Sequence, residues 1–274
     1  MSSSSGVRSR AQVRPYGLFL AEVVAVREIT PNMVRISLGG PGLTGITSGG
    51  YDQRIKVLLP LPGQTEPAMP DAESWFESYR AMDETSRPVM RTYTIRAHRP
   101  HTNEIDVDFV LHGDVGPASR WARRAVPGDV IGIVGPNEGR ATDSGVEYRP
   151  RAADWQLIVG DETALPAIAS IVESLPPGAL ARVFVEVPTG ADVQRIDTAG
   201  SAEITWLPRT GHGSRLPASV RAAELPGGTP YAWVAGEAAM IRELRRHLVG
   251  ERGWDKERSY FGGYWRRGMA EGAR

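Results

Sequence analysis

The 274-residue sequence predicts two domains in series, an antiparallel β-barrel or sandwich followed by a parallel α/β layer. Two observations carry this reading. In the first half, six short runs rich in Val and Ile are bounded by Gly or Pro, the spacing of an all-β unit. After a polar stretch, Asn137 to Asp154, strand-length and helix-length patterns alternate instead. The 31 glycines and 21 prolines supply the turns that so many short elements need.

In the first half the expected strands are Leu18 to Glu28, Met33 to Leu38, Ile55 to Leu59, Thr92 to Arg96, Ile105 to Leu111 and Val130 to Val134. Two helical pieces interrupt them. Trp75 to Met82 carries aromatic and apolar residues at helical spacing, and Ser119 to Ala125 follows a Gly-Pro turn with its serine placed as an N-cap. In the second half, strands are expected at Trp155 to Val159, Arg182 to Val187, Glu203 to Leu207 and Tyr231 to Ala235, and helices at Ala164 to Leu175 and Ala238 to Arg252. This places the domains at residues 15–148 and 149–274, joined near residues 145–154. Residues 1–14, serine-rich and then basic with no apolar core, read as a flexible tail. The stretch Leu18 to Val26 has strand length and contains Glu22, far short of the roughly 20 apolar residues that span a bilayer. The expectation is a cytoplasmic protein without membrane insertion.

Composition removes several kinds of chemistry. There is no cysteine, so disulfides, thiolate metal sites and a thiol nucleophile are excluded. The 32 basic and 32 acidic residues balance, which argues against a general nucleic-acid binder. Lysine occurs only at Lys56 and Lys256; every other basic residue is arginine. No GxxxxGK or GxSxG string is present, and His98 and His101 read as loop histidines, so no metal site is expected.

Three strings carry positive signals. In Arg91-Thr92-Tyr93-Thr94, strand periodicity puts Arg91 and Tyr93 on one face, where a guanidinium fork can grip a pyrophosphate and the ring can stack on a flat heterocycle. A solvated arginine beside a half-buried tyrosine would give the same string. Asp108-Phe109-Val110-Leu111-His112-Gly113 then ends a strand, and Gly116-Pro117-Ala118-Ser119 opens a helix whose amino end suits an anion, or whose serine is a plain cap. Together these two strings suggest a flavin dinucleotide across the barrel. Gly160-Asp161-Glu162-Thr163-Ala164-Leu165-Pro166 joins the first α/β strand to its helix at the ligand-binding edge of a parallel sheet. Thr163 is a candidate cap, and the two acids disfavour a bare phosphate, which favours a nicotinamide there. Trp233-Val234-Ala235-Gly236-Glu237 ends a later strand on the same edge, so Gly236 and Glu237 join the nicotinamide-cofactor candidates. Glu186 ends the second strand and suits the ribose hydroxyls of NADH, whereas Arg209 suits the 2′-phosphate of NADPH.

RTYT, DFVLHG with GPAS, GDETALP, WVAGE and the terminal Tyr264-Trp265-Arg266-Arg267-Gly268, in this order over residues 15–271, resemble the siderophore-interacting proteins, FAD-dependent ferric-siderophore reductases of the ferredoxin reductase superfamily. The resemblance implies a six-stranded antiparallel FAD-binding β-barrel followed by an NAD(P)H-binding parallel α/β domain. It implies that Arg91, Tyr93 and Thr94 hold FAD, that Asp108, Val110 and His112 line it, and that Gly116, Ala118 and Ser119 receive its pyrophosphate. Asp161, Glu162, Thr163 and Ala164 would flank the flavin on the nicotinamide side, and Trp265, on a tail folding back, would cover the ring. A basic cleft for an anionic ferric siderophore would use Lys56 and Arg266, with Arg267 and Arg140 as further candidates. The implied reaction passes electrons from NADH or NADPH through FAD to siderophore-bound iron(III), with no catalytic side chain, no protein iron ligand and no obligatory protein partner. A general flavin or ferric reductase, or a non-catalytic siderophore binder, are the alternative readings.

Overall fold

The structure is a computed structural model that describes residues 16–112, 116–138, 145–211 and 213–269. Its first half is a curled antiparallel sheet. The strands are β1 (Tyr16–Thr30), β2 (Met33–Gly39), β3 (Arg54–Leu59), β4 (Val89–Thr94), β5 (Ala97–Arg99), β6 (Glu104–Val110) and β7 (Val130–Pro136), ordered β4-β3-β7-β1-β2-β6-β5. Helix α1 (Trp75–Ala81) precedes β4, and α2 (Pro117–Ala122) follows β6. Alternation builds the core: Phe19, Ala21 and Val23 of β1 point inward to meet Ile36, Ile105, Val107 and Ile133, while Leu20 points out. Burying such a face drives the sheet to curl around its own side chains.

The sheet has seven strands, not the six expected. The run expected as one strand, Thr92 to Arg96, begins earlier and breaks. Through Thr94 the chain pairs with β3; the Ile95 amide then donates to Gln53 O and the Arg96 amide to Asp106 O, and β5 continues on β6. One stretch of chain therefore steps from one edge of the sheet to the other.

The second half is a five-stranded parallel sheet of β8 (Trp155–Gly160), β9 (Leu180–Val187), β10 (Ser201–Pro208), β11 (Pro230–Glu237) and β12 (Ser259–Trp265), ordered β10-β9-β8-β11-β12. All six residues of β8 are buried, as a central strand covered on both faces requires. Helix α3 (Leu165–Glu173) packs Ile168 and Ile171 with Val183 and Trp233 on one face. Helices α4 (Leu216–Ala222) and α5 (Ala238–Arg245) pack Leu216, Ile241 and Leu244 against Leu157 and Val159 on the other. Strand order reverses between β8 and β11, and the carboxyl ends of these two strands form the crevice where open sheets bind ligands. Two expectations change. The helix expected from Ala238 to Arg252 passes into a π-helix over Arg246–Glu251, and α4 has no counterpart in the sequence reading. Among the described residues no helix is long and apolar enough to cross a membrane.

The two sheets are joined by buried carboxylates. Asp52, fully buried just before β3, accepts from Trp233 Nε1 at 2.9 Å and from the amides of Glu147 and Tyr148. The stretch expected as a linker is thus pinned at its start. Asp192 accepts from Thr30 Oγ1 at 2.7 Å and from the Asn32 amide and side chain. Burial pushes the Asp192 carboxyl up, but the bonds from Thr189, Thr30 and Asn32 outweigh this and hold it below the usual range.

Candidate functional site

A cleft of about 860 Å³ runs between the curled sheet, α2, the start of α3 and the tail strand β12. Its first wall is β4. β4 ends the strand order, and all of Arg91, Thr92, Tyr93 and Thr94 border the cleft. The Tyr93 ring packs on Phe109, centroids 4.2 Å apart, which fixes its plane. Across the β3–β4 ladder Lys56 stands opposite Thr92, and its Nζ donates to Thr92 Oγ1 at 2.6 Å.

The second wall is the end of β6 with α2. Asp108 borders the cleft, but its carboxylate is held in a two-pronged pair by Arg35, at 2.6 and 2.8 Å. Val110 and His112 follow on the same wall. The expected serine cap is corrected. The N-cap of α2 is Gly116, with φ 94°, and Ser119 lies inside the helix, where its Oγ accepts from the His112 amide at 3.0 Å. Ser119 thereby ties the helix to the strand end, and Gly116, Ala118 and Ser119 all border the cleft. Burial, aided by the charge of Arg209, lowers the His112 pKa, so its imidazole is neutral at pH 7.

The third wall is the crest of the parallel sheet, which gives Thr163, Pro166 and Ala238 to the cleft, whereas Asp161, Glu162 and Ala164, expected there, are buried and do not border it. Asp161, buried just past β8, accepts from the Thr163 amide and hydroxyl, from the Glu237 amide at 2.8 Å and from Trp265 Nε1 at 2.9 Å. One carboxylate thus gathers the ends of β8, β11 and β12. Gly236 permits this: at φ 139° a Cβ there would lie 2.6 Å from Asp161 Oδ2. Thr163 does not cap α3. The cap position is Ala164, and the Thr163 hydroxyl serves Asp161. Glu237 caps α5 through the amides of Ala239 and Met240.

Glu186 and Arg209, expected as rival selectors of the nucleotide, are bonded to each other. Arg209 Nε donates to Glu186 at 3.1 Å, while its two terminal nitrogens grip both oxygens of Glu162. Burial works against the Arg209 charge, but Glu162 and Glu186 more than compensate and raise its pKa; burial leaves the Glu162 carboxyl above the usual range.

Of the expected substrate cations, Lys56 and Arg266 share the large cleft. Arg267 borders a separate, smaller pocket, and its amide donates to Glu237. Arg140 and Gly113 lie outside the described residues. Sequence reasoning passed over Arg54, two residues before Lys56 and on the same strand face, although strand period alone implies it. It also passed over Tyr264, which the aromatic tail contained in plain view.

These residues fit FAD on an observation independent of motif. Among the described residues, Tyr264 Oη and Arg54 Nε are buried polar atoms without a hydrogen-bond partner, and both residues border the large cleft. Buried polar atoms left unpaired are costly, and a polar ligand in the cleft relieves such a cost. The same cleft offers an aromatic face, cations and a helix start, the donor set that a ring system bearing a pyrophosphate requires.

A curled antiparallel sheet beside a parallel sheet, with a cleft at their junction, defines a two-domain flavoprotein reductase architecture. Residues 22–140 match the siderophore-interacting FAD-binding domain and residues 153–268 match the siderophore-interacting protein domain. The chain belongs to the siderophore-interacting protein family. It is similar to the ferric vibriobactin reductase ViuB of Vibrio cholerae, 31% identical over 93% of this chain and 91% of the relative. The NADPH-dependent ferric-chelate reductase of Escherichia coli is 29% identical over 89% of this chain and 91% of that one. A crystal structure of a siderophore utilization protein from T. fusca superposes with a TM-score of 0.81 at 37% identity, covering 94% and 96% of the two chains.

Proposed function

We propose that this protein is an FAD-containing ferric-siderophore reductase that draws electrons from NAD(P)H and works in the cytoplasm. The activities named for the Vibrio and Escherichia relatives support the reaction, and the observation that carries it is the large cleft, which brings Arg91, Tyr93 and the start of α2 together with the cations Lys56 and Arg266. Bound FAD supplies the conversion of a two-electron hydride into single electrons that iron(III) accepts.

The chain's own residues bind, orient and attract. Arg91 grips the pyrophosphate, with Gly116, Ala118 and Ser119 beneath it, and Tyr93, held by Phe109, presents a fixed ring face to the flavin. Thr94, Asp108, Val110 and neutral His112 line the cofactor. Trp265, held by Asp161, covers the nicotinamide side, which Thr163 flanks. Lys56 and Arg266 raise the positive potential in the cleft and draw in an anionic ferric chelate. No side chain needs to ligate iron. The siderophore's oxygen donors suit iron(III), and reduction to softer iron(II) weakens the complex.

The test is the flavin itself. The purified protein is expected to carry about one FAD per chain with a flavin absorption spectrum, and Arg91→Ala is expected to weaken FAD retention about tenfold or more, given the strength of charge-assisted phosphate contacts. A wild-type protein that neither contains FAD nor takes it up would contradict the proposal.

A further inference from the structure

The smaller pocket lies along the carboxyl ends of the five parallel strands and has a volume of about 330 Å³. Trp265 borders both it and the large cleft, so a dinucleotide with its nicotinamide in the large cleft reaches this pocket with its other end. Its charged lining consists of four carboxylates, Asp161, Glu186, Glu237 and Glu243, against two guanidinium groups, Arg209 and Arg267.

Arg209 is the group whose fork would suit a phosphate, and it is already committed. Three of its five N–H donors are taken, one on each terminal nitrogen by Glu162 and that on Nε by Glu186. Glu186 is itself fixed by the Arg215 amide, which donates to its other oxygen at 2.5 Å. Freeing Arg209 would strip two buried carboxylates of their counter-charge, a change that costs far more than one phosphate contact returns. NADH and NADPH differ only by the 2′-phosphate. Among the described residues of the pocket carboxylates outnumber guanidinium groups, so that extra dianion meets net repulsion, with the exposed Arg267 as the one guanidinium set against it outside the Glu162–Arg209–Glu186 cluster.

We infer that this pocket takes the adenosine end of NADH and rejects the 2′-phosphate of NADPH, with Glu162 and Glu186 acting as positioning residues through their hold on Arg209. The inference rests on the reductase reading and deepens it, and it sets this chain apart from the Escherichia relative, whose name specifies NADPH.

The experiment titrates the FAD-loaded protein calorimetrically with AMP and with adenosine 2′,5′-bisphosphate, which differ only in the 2′-phosphate, and follows flavin reduction by NADH and NADPH in stopped flow. AMP is expected to bind about tenfold or more tightly than the bisphosphate, and NADH to show a similar advantage in kcat/KM. Glu186→Gln, which places an amide against Arg209 and loosens it, is expected to narrow both ratios about threefold or more. Glu243→Gln removes a charge from a half-exposed rim residue without touching the buried cluster, and is expected to narrow them in the same direction. Equal or tighter binding of the bisphosphate, no measurable binding of either fragment, or ratios that neither variant moves would each overturn the inference. Preferential reduction by NADPH also overturns it but leaves the reductase reading standing. Flavin reduced by neither nucleotide overturns that reading, while the fragment comparison still decides the inference.

Discussion

Lys56 is one of two lysines in a chain otherwise stocked with arginine, and its place on β3 sets it at the mouth of the large cleft with its ammonium on Thr92. A compact ammonium on a flexible stem suits a substrate of variable outline better than a rigid guanidinium fork. Lys56→Ala is expected to raise the KM for an anionic ferric siderophore about tenfold, with kcat and FAD content near wild type, because the lost term is long-range attraction. Loss of FAD in this variant would show that Lys56 belongs to the cofactor wall. At this scale the sequence was partly legible. The Arg91 and Tyr93 string stood out because a cation and a ring in period two have a specific chemical use. The Glu162–Arg209–Glu186 cluster did not, because its members lie 23 and 47 positions apart and nothing local records their pairing.

Elements are legible where one face is buried and lost where long-range contacts decide. Short apolar runs bounded by turn residues marked the strands of both sheets, alternating in β1 where one face is buried and continuous in β8 where both are. The break at Ile95–Arg96 was invisible because its cause is two backbone bonds to different neighbours, Gln53 and Asp106. β11 offers a parallel edge to β12, which makes a strand of the aromatic, glycine-rich tail. The crest of the second sheet depends on Gly236, whose φ of 139° and contact with Asp161 leave no room for a side chain. Gly236→Ala is expected to destabilise the protein by about 1–3 kcal/mol in urea unfolding, and to alter Trp265 fluorescence as the Asp161 bond shifts. Unchanged stability and emission would show that the crest yields more easily than its geometry implies.

Across the whole molecule, two buried acids, Asp52 and Asp192, tie the two sheets together beside the Arg96–Glu173 ion pair and the packing of Met33. The partners of the two acids lie 95 to 181 and 160 to 162 positions away, beyond the reach of any sequence pattern. Asp192 gives the joint a pH dependence. Its carboxyl is held below its ordinary value in the folded protein, so the unfolded chain binds the proton first. The stability it contributes is therefore present above the unfolded value of 3.8 and is lost as pH falls through the lower folded value. Wild type is expected to be more stable than Asp192→Asn at pH 6, with the difference shrinking below pH 3.8; urea midpoints at a series of pH values check this. A difference that does not change with pH would remove the carboxylate's charge from the account.

Holding the sheets in register matters because the cleft takes one wall from the curled sheet and another from the parallel sheet and tail. The reductase account requires that both walls serve one flow of electrons, from nucleotide through flavin to chelated iron. Anaerobic mixing of the FAD-loaded protein with NADH or NADPH, followed by ferric siderophore in the presence of an iron(II) trap, measures that flow directly. The account predicts bleaching of the flavin spectrum by at least one nucleotide, then its return in step with appearance of the iron(II) complex. A flavin that neither nucleotide bleaches, or a bleached flavin that no ferric siderophore reoxidises, would contradict it.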